Sequence, residues 1–159
     1  MNKEALRDQI ITRLKADHAL LLQAAKTAHA AATHDENIPD NKYATLGLEA
    51  SYLAQGQANR AQEILQAIQV FRQLTLADFS AKSMIRLTAV VQLEDAEERS
   101  RLVFLGPAAG GLLLELDGAE LMIITPISPL GRELLGKRCG DMIELKSDTT
   151  REYEIVSIY

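Results

Sequence analysis

From Asn2 to about Ala32 the apolar positions recur in steps of three and four: Leu6, Ile10, Leu14, His18, Leu21, Ala25, Ala28 and Ala32. That spacing puts one stripe on one face of an α-helix. A second stripe runs Leu46, Ala50, Ala54, Ala58, Ala61, Leu65 and Ile68, flanked by Leu53, Ile64 and Phe71. Neither run contains proline, whereas Ile38-Pro39 lies between them. A residue before proline resists the α conformation, so the chain is expected to turn there. The pattern predicts an antiparallel helical hairpin, a coiled coil, over residues 1–76, with its tip near 34–41.

Side-chain size grades along the predicted seam. Ala25, Ala28 and Ala32 would face Ala50 and Ala54 near the turn, whereas Leu6, Ile10 and Leu14 would face Leu65, Ile68 and Phe71 at the base. Small contact residues let helix axes approach toward the short end of the ~8–10 Å range, which predicts a thin tip. Arms of about 33 residues at ~1.5 Å each would reach on the order of 50 Å.

Residues 77–84 read as a linker, after which the period changes to two. Ile85, Leu87, Ala89 and Val91 alternate with Arg86, Thr88 and Val90, which predicts a strand. Arg101–Leu105, Leu112–Leu116 and Leu121–Thr125 follow as further strands. Ser128-Pro129-Leu130 opens a short helix, Gly131–Leu135, that Gly136 closes. Asp141–Lys146 and Arg151–Ile158 then form a hairpin around the polar SDTT. The expected module, residues 85–159, is an α+β antiparallel sheet covered by one short helix.

Composition narrows the function. A net charge of −5 argues against direct wrapping of nucleic acid, which relies on lysine and arginine to neutralise phosphates. Cys139 is the only cysteine, which excludes an internal disulfide and fits a cytoplasmic setting. No stretch approaches the roughly 20 apolar residues of a membrane span. The turn reads THDENIPDNKY over residues 33–43 and is unusually acidic. Asp40 is explained by a helix start, where a carboxylate complements the helix dipole. Asp35 and Glu36 sit near a helix end, where the same dipole disfavours them.

PISPLGRELLGKRCGDMIEL, residues 126–145, with REYEIVSI at 151–158, resembles the C-terminal domain of the bacterial Gre transcript-cleavage factors. The shared features are Ser128-Pro129, Leu134-Leu135, Gly136-Lys137, Gly140-Asp141 and Tyr153-Glu154-Ile155-Val156. The resemblance implies an FKBP-like C-terminal fold and a protein that binds RNA polymerase. It also implies docking at the secondary channel through Ile127, Ser128, Pro129 and Leu130. The hairpin tip would then bring Asp35, Glu36, Asp40 and Asn41 to the active centre. There Asp35, Glu36 and Asp40 would share a transient magnesium ion with the polymerase, no cofactor being tightly bound.

Such a factor is not an enzyme in its own right, because the polymerase cleaves its own backtracked transcript. It is expected to act as a monomer in the cytoplasm, off the membrane, touching nucleic acid only through the transcription complex. The tip differs from the family's cleavage pattern in its spacing. Asp40-Asn41 stands where a Glu-Asn pair belongs, and Tyr43 comes one residue early. Asp35 and Glu36 precede Asp40 by five and four positions, with Pro39 between. Two readings follow: a stimulator of transcript cleavage, or a Gre-like regulator or inhibitor that binds polymerase without cleavage. Isomerase activity of the FK506-binding type is not expected, since residues 85–159 carry only Phe104, Tyr153 and Tyr159 as aromatics.

Overall fold

The computed structural model describes residues 1–33 and 44–159. The elements are α1 (Lys3–Thr33), α2 (Ala44–Gln73), β1 (Val90–Glu94), β2 (Ser100–Leu105), β3 (Leu113–Leu116), β4 (Ala119–Ile124), α3 (Pro129–Leu134), β5 (Met142–Lys146) and β6 (Thr150–Ile158). By contacts the chain forms two compact units, Met1–Gln9 with Val70–Tyr159, and Ile10–Gln69.

The two long helices form the hairpin that the periodicity predicts. Asn2 begins α1, its side-chain oxygen accepting from the Ala5 N–H at 3.0 Å and so satisfying one of the free amides of the first turn. Leu6, Ile10, Leu14 and Ala25 are buried along α1, with His18, Leu21 and Ala28 half-buried between them. On α2 the buried line is Ala54, Ala61, Ala67, Ile68 and Phe71. Leu65 departs from the expected seam: it is exposed, while Ile64 and Ala67 turn inward. The geometric reason is that steps of four overshoot a repeat of 3.6 residues, so a seam residue is displaced to a neighbour. Ala32, Leu46 and Ala50 lie outside the residues whose side chains are described.

The C-terminal module contains a six-stranded sheet in the order β3-β4-β2-β1-β6-β5. It is mixed rather than wholly antiparallel as expected, because β2 and β4 run parallel from Leu102↔Leu121 to Leu105↔Ile124. The cause is a tight hairpin. Asp117 and Gly118 both have positive φ, as a two-residue type I′ turn requires, so β3 and β4 must be neighbours. After β2 the chain returns along β3 at the sheet edge, and β4 then fills the gap in the same direction as β2.

Alternation along the strands builds two buried faces. Val91, Leu93, Val103, Leu105, Ile143, Tyr153 and Ile155 join Leu130 and Leu134 of α3 in the main core. On the opposite face Val90 pairs with Phe104, which pairs in turn with Ile123, and all three are buried. The β1–β2 turn is fastened by Asp95, which accepts from the Glu97 and Arg99 amides at 3.0 Å each and pairs with the Arg99 guanidinium at 2.8 Å.

The strand expected over 85–91 begins only at Val90. Residues 86–89 instead turn, with the Ala89 N–H donating to the Arg86 carbonyl at 3.1 Å and Thr88 at φ +74°. Alternation of residue types does not register the left-handed backbone that Thr88 adopts.

Candidate functional site

The segment that joins β4 to α3 is built so that one apolar side chain stays outside. The Ser128 N–H and hydroxyl both donate to the Thr125 carbonyl, at 3.0 and 2.7 Å, closing a turn over Pro126 and Ile127. The same hydroxyl accepts from the Gly131 N–H at 3.1 Å, so Ser128 is also the N-cap of α3. Pro129 occupies the first helical turn, where its missing N–H has no partner to lose and its φ is already helical.

α3 then turns Leu130 and Leu134 into the core. Gly131 permits this approach. A Cβ at that position would lie 1.9 Å from the Thr125 carbonyl oxygen, so only glycine fits under the turn. The far end of α3 is pinned by reciprocal backbone bonds, Gly136 N–H to Ile85 carbonyl and Ile85 N–H to Lys137 carbonyl, both at 2.8 Å.

The four residues expected to dock therefore have different positions. Ile127 is 77% exposed at the crest of the turn, and Pro129 is exposed beside it. Ser128 is half-buried and its hydroxyl is engaged twice within the fold. Leu130 is buried among core residues. Of the four, Ile127 presents apolar surface that no packing requirement of the fold explains.

Gly131 was not singled out by the sequence, although a glycine inside a helical pattern is itself a signal of close backbone approach. Thr125 supplies only its backbone carbonyl, and nothing in its side chain announces that. Asp35, Glu36, Asp40 and Asn41 lie outside the described residues. Among the described residues no group of three or more His, Cys, Asp or Glu side chains could hold a metal ion. No helix among them is long and apolar enough to cross a membrane. Cys139 packs against the main core and its thiol donates to the Val156 carbonyl at 2.9 Å.

Residues 80–159, which hold the mixed sheet, the capped turn and α3, match the family described as "Transcription elongation factor, GreA/GreB, C-term". The chain belongs to this family, whose members have RNA polymerase as their partner. It is 27% identical over 155 residues to the "Transcription inhibitor protein Gfh1" of two strains of Thermus thermophilus, covering 96% of this chain and 92% of theirs. The crystal structure of Thermus aquaticus Gfh1 is also 27% identical, covering 96% of this chain and 92% of that one at a TM-score of 0.42.

Proposed function

We propose that this protein binds RNA polymerase at its secondary channel as a non-cleaving Gre-family regulator that inhibits transcription. The observation that carries the reading is the 27% identity to proteins named as transcription inhibitors, which extends through the helical half as well as the family-matched module. The tip supports the same reading. A second metal assists phosphodiester cleavage only when its ligands fix it against both the attacking and the leaving oxygen. Asp35 and Glu36 stand five and four residues before Asp40 with Pro39 between, so the acids do not keep the spacing of the cleavage factors.

The donor set nevertheless fits magnesium, which takes hard oxygen ligands and often only one or two carboxylates from a protein. Asp35, Glu36 and Asp40 would supply those oxygens and Asn41 a carbonyl oxygen. Ile127 would anchor the module on the polymerase, with Ser128 and Gly131 holding the turn that presents it. The reading in which the tip stimulates cleavage rests on those same acids being retained.

One assay separates the two. The purified protein is added to a backtracked transcription complex and to an elongating one. The inhibitory reading expects slower elongation and no increase in short 3′ RNA fragments. Fragment release accelerated at least tenfold, and abolished by Asp35→Ala with Glu36→Ala, would instead establish the cleavage reading.

A further inference from the structure

Thr88 is a β-branched residue in the left-handed region, at φ +74°, where such side chains are rare and strained. It is also the only buried polar residue among the described ones, at 2% exposure. Its N–H donates to the Leu105 carbonyl at 2.8 Å, and the Leu105 N–H donates to the Ala89 carbonyl at 2.9 Å. Two residues thus oppose one across the β1–β2 edge. In this form of β-bulge the first of the two is left-handed and usually glycine. Thr88 is also the third residue of the preceding turn, closed by Ala89 N–H to Arg86 carbonyl, and that position is left-handed in a type II turn.

What threonine offers that glycine cannot is its hydroxyl. Thr88 Oγ1 accepts from the Ala77 N–H at 2.9 Å, across eleven residues of sequence. From the other side Lys3 Nζ donates to the Ala77 carbonyl and lies 3.5 Å from the Thr88 carbonyl. The ammonium also sits 4.5 Å from the centre of the Phe79 ring, and the Arg86 guanidinium lies 5.4 Å from the same ring. The connection Ala77–Phe79 is therefore held between the first turn of α1 and the bulge. Against this the sequence around Thr88 alternates as a strand, with Ile85, Leu87, Ala89 and Val91 on one side. Local preference and observed conformation disagree here, and besides the Ile85 bonds to Gly136 and Lys137 the contacts that settle the disagreement come from Lys3 and Ala77.

We propose that residues 86–89 form a two-state latch, a strained turn locked by Lys3 and Ala77 that relaxes into an extension of β1 when either contact is lost. In the relaxed state the bulge disappears, Ala89 faces Leu105 as an ordinary antiparallel pair, and the longer reach of an extended 86–89 draws Ile85 off its bonds to Gly136 and Lys137. Leu87 then comes opposite Pro107, whose carbonyl can accept its N–H. Ala77–Phe79 loses two of its anchors in the same step, which makes the freedom of this connection conditional on the latch.

Amide hydrogen exchange and backbone chemical shifts of the full chain test this in Thr88→Val and, separately, in Lys3→Met. Valine keeps the shape and the β preference but cannot accept from Ala77, and methionine keeps an apolar stem near Phe79 without the ammonium. The expected result in either variant is exchange at Ala77 at least tenfold faster and exchange at Leu87 at least tenfold slower. Chemical shifts at positions 86–88 should move to extended values, with the amides of β4 and β6 unchanged. A simple loss of one hydrogen bond would speed Ala77 and leave Leu87 and the shifts at 86–88 as they were; that outcome overturns the latch. Should Thr88→Val not fold, Lys3→Met decides by the same readouts.

Discussion

The two units hold themselves together by different means. Between Ile10 and Gln69 the buried side chains among the described residues are Ile10, Leu14, Ile68 and four alanines. In the sheet module, strands are buried on both faces, and its one helix is fixed by a cap, a close backbone contact and reciprocal backbone bonds. A seam of small residues gives up hydrophobic stabilisation, at roughly 25 cal/mol per Å² of apolar surface, in exchange for close approach of two helices. A two-sided core gives up slenderness for a rigid surface. This contrast matches the proposed division of labour, in which the module offers a fixed apolar crest and the hairpin delivers acids.

The largest expected effect tests the module's rigidity at its tightest point. Gly131→Val places atoms where the Thr125 carbonyl already stands. Neither backbone can yield without losing the Ser128 cap or the burial of Leu134, so a cost of about 3 kcal/mol or more is expected from such overpacking. Thermal unfolding followed through the sheet should show it. A melting temperature within a degree of the wild type would mean that the turn over α3 is soft and the contrast misplaced. In the hairpin, Ala61→Leu overfills a position only 2% exposed, and about 1–3 kcal/mol is expected. That loss should appear in helical circular dichroism and leave exchange of the β1, β2 and β6 amides unaltered.

How much of this was legible beforehand follows the range of the interactions involved. Helical periodicity is local, so the seam through Leu6, Ile10, Leu14 and Ala25 could be read directly, although among the described residues Leu65 and the flanking Leu53 are exposed. The final hairpin was also readable, since β5 and β6 flank a polar turn. The parallel pairing of β2 with β4 depends on a strand inserted between sequence neighbours, which no local pattern encodes. Thr88 reads in the sequence as one step of an alternation because its partners, Ala77 and Lys3, lie 11 and 85 residues away. Leu130 looked available for docking beside Ile127 and Pro129, and only the direction of α3 places it inside. The acids of the tip were conspicuous as a composition, but Asp35, Glu36 and Asp40 lie outside the described residues.

A middle-sized effect separates presentation of the crest from the crest itself. Ser128→Ala removes the cap of α3, for which about 1 kcal/mol is typical, and frees the turn beneath Ile127. Ile127→Asp alters a side chain that packs on nothing the fold needs, so stability should stay within about 0.5 kcal/mol. Affinity for core RNA polymerase, measured by titration, should nonetheless fall at least tenfold in Ile127→Asp. Equal affinity of that variant and the wild type would remove Ile127 from the interface.

The smallest effect is local to the β1–β2 turn and works through pH. Asp95 has its pKa held below the ordinary 3.8, chiefly because its carboxylate accepts the Arg99 backbone N–H. Partial desolvation works the other way, and the Arg99 side chain and the Glu97 amide lower it further. The unfolded chain, with the ordinary value, binds the proton first as pH falls. The carboxylate's contribution is therefore complete above about 3.8 and is lost as pH drops through the lower folded value. Asp95→Asn keeps an acceptor for the amides but not the charge. Its deficit relative to wild type should be constant from neutral pH down to about 5 and should shrink as the folded pKa is crossed, following the linkage relation. An NMR titration of the Asp95 carboxyl carbon gives the folded value independently, and a midpoint at or above 3.8 would show that the turn does not hold its charge.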